Sequence, residues 1–197
     1  MILFEFLNDY KQTRKTTIVM ALLMNPNCNN NTEMRGIEDL IFAPPALSDW
    51  QSIAALEKAS YPEDEAASDE KIQYRIEEAG DYFYTLLTQE GDLIGFINGT
   101  CVDDITIHHD SMAHHVKGGR TLVIHSVVIS AEYRRSKLAT AMMSKYLSKL
   151  FEKNLCDLVL LLAKSYLLQF YIASGFKVIR LSPVVHGEVS ATFDHIN

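Results

Sequence analysis

A mixed β-sheet covered by helices is the fold class, α/β with α+β character, that this 197-residue chain predicts. Three observations carry it. Residues 121–129 (TLVIHSVVI) form a strongly apolar run, and behind them Leu138, Ala139, Met142, Met143, Tyr146, Leu147, Leu150 and Phe151 recur at one-face helical spacing. Residues 158–163 are apolar on both faces, as in a central sheet position. Residues 82–88 and 93–102 flank Glu90-Gly91-Asp92, a hairpin connection.

The other elements follow from start and stop signals. Residues 40–43 (LIFA) read as a short strand stopped by Pro44-Pro45. Ser48 is a candidate N-cap, and Trp50, Ile53, Ala54 and Leu56 predict a helix to about Ser60, broken by Tyr61-Pro62. Ser68 caps a second helix that ends near Gly80. A polar loop spans about 103–120. A short helix through Phe170 and Tyr171 ends at Gly175, and residues 176–181 and 189–195 close the chain as two strands. The run Asn25-Pro26-Asn27-Cys28-Asn29-Asn30-Asn31 has linker composition. We therefore expect residues 1–36 to be a poorly ordered extension and 37–197 to be one domain. The apolar run at 18–24 is too short to span a bilayer and has a poor cleavage site behind it.

Composition excludes several classes. The chain has 18 Lys+Arg against 25 Asp+Glu, a formal charge of −7, which argues against general nucleic-acid binding. Cys28, Cys101 and Cys156 have no metal-ligand spacing and cannot form a disulfide framework, so a reducing, cytoplasmic setting is expected. No membrane association is expected, and the sequence leaves the oligomeric state open, with a monomer favoured. The charge is uneven. Acids dominate from Glu57 to Asp92, whereas Arg134, Arg135, Lys137, Lys145, Lys149, Lys153, Lys164, Lys177 and Arg180 dominate the last third. A solvated surface is the plain reading of this split; opposite ligand charges at the two halves is the other.

The turn Tyr133-Arg134-Arg135-Ser136-Lys137-Leu138-Ala139-Thr140 joins the buried strand to the long helix. Unpaired N–H groups at a helix start, with adjacent cations, make an anion site; generic anion binding is all that this turn establishes by itself. His108-His109-Asp110 with His114-His115 is a second cluster, but its spacing offers no fixed pair on one helix face, so no metal is expected.

The strand at 123–129 followed by Arg134 through Thr140 resembles the acetyl-CoA motif of the GNAT acetyltransferase superfamily. Arg134 matches the first motif position and Ala139 the last, and Leu167 to Phe176, with Phe170-Tyr171 and Gly175-Phe176, resembles a later motif. Tyr61-Pro62-Glu63-Asp64-Glu65-Ala66-Ala67-Ser68 and Gly95-Phe96-Ile97-Asn98-Gly99-Thr100 are similar to arylalkylamine (serotonin) N-acetyltransferases, most of all the fungal branch that includes polyamine acetyltransferases. The middle glycine of the phosphate motif is Lys137 here, which adds a cation and gives up backbone freedom.

The resemblance implies a GNAT fold, acetyl-CoA as cosubstrate and a small primary amine as acceptor. It places the pantetheine arm along Val127, Val128 and Ile129 and the pyrophosphate on Arg135, Ser136, Lys137, Leu138, Ala139 and Thr140, with Arg134 adding charge. It makes His125 the base and Tyr171 the acid; Val123 stands where the family has a second histidine. Tyr61, Asp64 and Glu65 would line the amine pocket, with Leu162 beside them and Thr100 holding a water. Acetylation of a protein lysine or N-terminus, and a non-catalytic acyl-CoA-binding module, are the alternatives.

Overall fold

The computed structural model describes residues 17–24, 37, 39–105 and 114–182. Among them, seven strands form one sheet in the order β2-β3-β4-β5-β6-β1-β7. The strands are β1 (Thr17–Leu23), β2 (Ile41–Ala43), β3 (Phe83–Leu87), β4 (Leu93–Val102), β5 (Thr121–Ile129), β6 (Leu158–Lys164) and β7 (Lys177–Leu181). The helices are α1 (Trp50–Ser60), α2 (Asp69–Glu78), α3 (Leu138–Glu152) and α4 (Leu168–Ala173). Only β5 and β6 pair in parallel, across the crossover that contains α3; the other pairs are antiparallel.

The expected boundary after residue 36 needs one correction. Thr17–Leu23, read from sequence as part of a loose extension, lies inside the sheet as β1, antiparallel to both β6 and β7. The physical reason is its composition: TIVMALL is an unbroken apolar run with Thr17, Ile18, Val19 and Met20 buried, and such a run fits a strand with neighbours on both edges. The downstream Asn-rich run obscured that signal. The strand expected at 189–195, the His108-His109-Asp110 cluster and Cys28 lie outside the described residues.

Local signals place most ends correctly. Ser68 caps α2, its hydroxyl accepting from the Lys71 N–H. Gly91, at φ 94°, turns the β3–β4 hairpin. Ser48 does not cap α1. A single 3-10 turn at Leu47–Asp49 precedes that helix, and the Asp49 carboxylate accepts from the Ala46 N–H at 2.8 Å, because a carboxylate serves a helical start better than a hydroxyl one residue away.

Two cores sandwich the sheet. On one face α3 places Leu138, Met142, Met143, Tyr146 and Leu150 against Leu122, Ile124 and Ile129 of β5. On the other, Ile53 and Ala54 of α1 and Ile72 and Ile76 of α2 cover Phe83, Phe96 and Val128. The alternation along β5 changes parity midway. The β4–β5 register passes from Asn98↔Ser126 to Gly99↔Ile124 and leaves His125 as the extra residue. That β-bulge turns both His125 and Ser126 toward the α1–α2 face.

Gly99 is required at this bulge, since a Cβ there would sit 2.5 Å from the Val123 carbonyl oxygen. We expect Gly99→Ala to cost about 1–3 kcal/mol through overpacking, lowering Tm by roughly 2–4 °C per kcal/mol. Calorimetry checks this, and an unchanged Tm would contradict the close approach.

Candidate active site

The β5–β6 pairing runs from Thr121↔Leu158 to Ile124↔Leu161 and stops. β5 continues to Ile129 and β6 to Lys164 without pairing to each other. His125 is the first β5 residue past the junction. The Val127 N–H, which no strand accepts, donates instead to the Tyr61 hydroxyl at 3.3 Å.

His125 Nε2 and Thr100 Oγ1 lie 2.7 Å apart. Thr100 therefore bonds the imidazole directly. His125 as a residue is half-buried, and among the described residues its Nδ1 is enclosed and has no hydrogen-bond partner. Burial, then the nearby Arg75 and Lys71 charges, hold the imidazole well below its ordinary pKa. The ring is therefore neutral at physiological pH.

Tyr171 is buried in α4, edge-on to both Phe170 and Phe176. Burial raises its phenol pKa, as does Tyr166. Its hydroxyl also acts electrostatically on Tyr61, whose own pKa is raised by burial and then by Glu57 and Tyr171. The Tyr61 hydroxyl meets the Val127 amide.

The loop between α1 and α2 spans this opening. Glu65 Oε1 takes an ion pair from Lys164 Nζ at 2.6 Å, with the two side chains 18% and 17% exposed. The acidic loop offers Glu65 or Asp64 to a cation; in this structure Glu65 is matched to the last residue of β6, because alternation along β6 puts Lys164 on the same face as Leu162. Asp64 is exposed. Leu162 packs with Val19, Val123 and Leu160 on that face.

Beyond Ile129 the chain enters α3. Its first intrahelical bond is from the Ala141 N–H to the Lys137 carbonyl, so the Leu138, Ala139 and Thr140 N–H groups have no intrahelical acceptor. No side chain caps them. Arg134 spends its Nε on the Ile129 carbonyl at 2.9 Å and one Nη on Ser60 at 3.3 Å. It fastens the turn to β5 and α1 and keeps the remaining guanidinium donors exposed. The Ser136 hydroxyl donates to the Tyr133 carbonyl. Lys137 and Arg135 both hold left-handed backbone, at φ 65° and 62°. The lysine therefore occupies the conformation that a glycine adopts without cost. Lys137→Gly should stabilise the fold by about 1 kcal/mol, or a few degrees in Tm; a fall in Tm would refute that reading.

Sequence reasoning missed a buried polar group beside this opening. Glu57 of α1 is 2% exposed. Its Oε1 accepts from the Ala67 N–H at 3.1 Å and from the Ser126 hydroxyl at 3.0 Å. Arg75 of α2 is buried as well, and one Nη donates to Asn98 Oδ1 at 3.3 Å. Burial pulls the Arg75 pKa down to about 10, partly offset by Glu57. A signal was available: Glu57 falls on the stripe of Ile53 and Ala54, where a solvated carboxylate does not belong.

The other candidates are structural. His115 accepts from the Cys101 N–H at 3.1 Å, and its own N–H donates to the Tyr74 hydroxyl at 2.9 Å. Burial raises the thiols of Cys101 to about 11 and Cys156 to about 12, so neither is a thiolate nucleophile. Among the described residues no His, Cys, Asp and Glu group is arranged to hold a metal, and no helix is long and apolar enough to cross a membrane.

Comparison with known proteins gives the family of the fold. The model of the acetyltransferase (GNAT) family matches residues 50–176, which include α1, the bulged strand, α3 and α4. A serotonin N-acetyltransferase from Mesocricetus auratus is 26% identical over 102 residues, 52% of this chain and 49% of that protein. The chain thus spans about half the length of that curated relative. A GCN5-related N-acetyltransferase from Sphaerobacter thermophilus shares the fold over 90% of this chain and 53% of its own, with a TM-score of 0.60 at 12% identity. The GNAT-like decarboxylase GphF, solved in complex with isobutyryl-CoA, shares it over 55% of this chain and 58% of its own, with a TM-score of 0.51 at 18% identity. With a family match covering more than half its length and a sheet of the same architecture, the chain belongs to the acetyltransferase (GNAT) family.

Proposed function

We propose that the protein is an acetyl-CoA-dependent N-acetyltransferase for a small primary amine, an arylalkylamine or a polyamine. The observation that carries this is the end of β5 beyond its last pair with β6: it holds His125 and a Val127 N–H that donates to a phenol, and the turn after it leads to a helix start with no side-chain cap.

The residues present fit the cosubstrate. Val127, Val128 and Ile129 would receive its extended arm. The N–H groups of α3 with Arg134, Arg135, Ser136, Lys137, Leu138, Ala139 and Thr140 would receive its phosphates. Acetyl-CoA supplies the acetyl group as a thioester. The protein's own contribution is proton handling and charge stabilisation. An alkylamine, with a pKa near that of Lys at about 10, arrives protonated, and His125 takes that proton through water. The Val127 N–H donates to the oxygen that gains charge as the nitrogen attacks. Tyr171 gives a proton to the departing sulfur, and the second proton shed by the attacking nitrogen restores the phenol. Tyr61, Asp64, Glu65, Leu162 and Thr100 border the acceptor's position.

A second reading is a non-catalytic acyl-CoA-binding module, favoured by Val123 and Lys137, which depart from the resembled motifs. A thiol-release assay with acetyl-CoA against tryptamine, serotonin, spermine and a lysine-containing peptide decides among them. Thiol release with one of the three amines supports the proposal. Release with the peptide alone gives a protein acetyltransferase. Binding of acetyl-CoA without thiol release overturns the catalytic reading.

A further inference from the structure

The loop at 61–67 borders the proposed acceptor position, and Glu57 is placed to hold it. One carboxylate oxygen receives the Ala67 N–H at the far end of that loop and the hydroxyl of Ser126, the residue after His125. A single buried oxygen thus joins the loop to the bulged strand. Asn98, the cross-strand partner of Ser126, is fully buried and takes Arg75 on its Oδ1. The network therefore reaches from α1 through the loop and β5 to β4 and α2.

Stability alone does not account for a carboxylate here. Ile53, Ala54, Ala67, Ile72 and Phe96 surround this part of the core, where apolar packing is the cheaper solution. Among the described residues Glu57 Oε2 and Asn98 Nδ2 are both enclosed without a partner, and each such atom is a standing cost. Groups kept at a cost beside a cleft are candidates for a functional role.

We propose that Glu57 is a positioning residue: it clamps the loop at 61–67 to β5 and so fixes the acceptor amine relative to His125. The functional half of this proposal rests on the acetyltransferase reading; the clamp itself does not. Glu57 touches neither acceptor nor acetyl donor in this scheme. Its removal should therefore move the amine KM and leave acetyl-CoA affinity nearly in place.

Two measurements test it in the full chain. Hydrogen exchange at the Ala67 amide reads the clamp directly. Exchange should accelerate about tenfold or more in Glu57→Ala, as expected for losing a hydrogen bond to a charged acceptor, and should slow again in Glu57→Gln, which keeps an acceptor oxygen. In steady-state kinetics, Glu57→Ala should raise the amine KM about tenfold, with the acetyl-CoA Kd within about twofold. Should Glu57→Ala fail to fold, Ser126→Ala removes only the strand's hydroxyl and should still speed Ala67 exchange. Unchanged Ala67 exchange overturns the clamp. Faster exchange with an unmoved amine KM overturns its role in positioning. Wild-type protein that consumes acetyl-CoA with none of the amines overturns the acetyltransferase reading and, with it, the functional half, leaving Ala67 exchange to decide the clamp alone.

Discussion

Replacing His125 with alanine is expected to lower kcat by about 10²–10⁴, the usual contribution of a positioned general base, and to change acetyl-CoA affinity little. The ring sits at the bulge, past the last β5–β6 pair, and its bond to Thr100 holds it in place. Removing it takes away the proton acceptor and leaves the Val127 N–H and the α3 N-terminus intact. Full turnover by His125→Ala would sink the assignment. The pH dependence follows from the direction of the shift. Burial and two cations hold the folded imidazole well below the ordinary value, about 6.5. At saturating amine, kcat should therefore stay level as pH falls through 6.5 and drop only at more acidic pH.

The same shift has a consequence for stability. Below about pH 6.5 the unfolded chain takes up a proton at this histidine while the folded chain does not. Protons thus favour the unfolded state, and stability falls as pH is lowered through that region. His125→Ala should flatten this slope. Urea midpoints at pH 7.5 and pH 5.5, compared between wild type and variant, measure it.

How much of this was legible before the structure depends on the type of signal. Local chemistry spoke clearly: β4 spans Leu93–Val102 and α1 ends at Ser60, where the hairpin residues and Tyr61-Pro62 place them. His125 stood out as one polar ring in an apolar strand. Its environment did not, because the bulge arises from register against β4 and the tight approach of Gly99 to Val123, and cross-strand register leaves no mark along a single strand. β1 was misassigned for a related reason. TIVMALL has no polar alternation, and only its two distant partners, β6 and β7, distinguish a central strand from an apolar stretch in an extension. Glu65 illustrates a third limit. An acidic residue in a loop invites a cationic ligand until the fold supplies Lys164, almost a hundred positions later, as its partner. The two charged halves of the chain are thus partly matched to each other, and the acidic side of the proposed pocket is less anionic than its composition.

Changing Tyr171 to phenylalanine is the other substitution with a large expected effect, a fall in kcat of about tenfold to a hundredfold. It should be the smaller of the two for a reason visible in its surroundings. Burial and the neighbouring Tyr166 raise the phenol above its ordinary pKa, about 10, whereas a thiol lies near 8.5. Passing a proton from phenol to thiolate is therefore uphill by at least about 1.5 pKa units, or roughly 2 kcal/mol. Tyr171 is useful only if the transfer is drawn along by departure of the sulfur, so part of its advantage over water is lost. Phenylalanine keeps the edge-on packing between Phe170 and Phe176, so Tm should hold and the loss can be assigned to the hydroxyl. A donor whose leaving thiol is more acidic needs less help. The deficit of Tyr171→Phe should then shrink for an acetyl thioester of an aromatic thiol relative to acetyl-CoA, both being accepted at the same site. An equal deficit with both donors would mean that the hydroxyl orders the site and gives no proton to the sulfur.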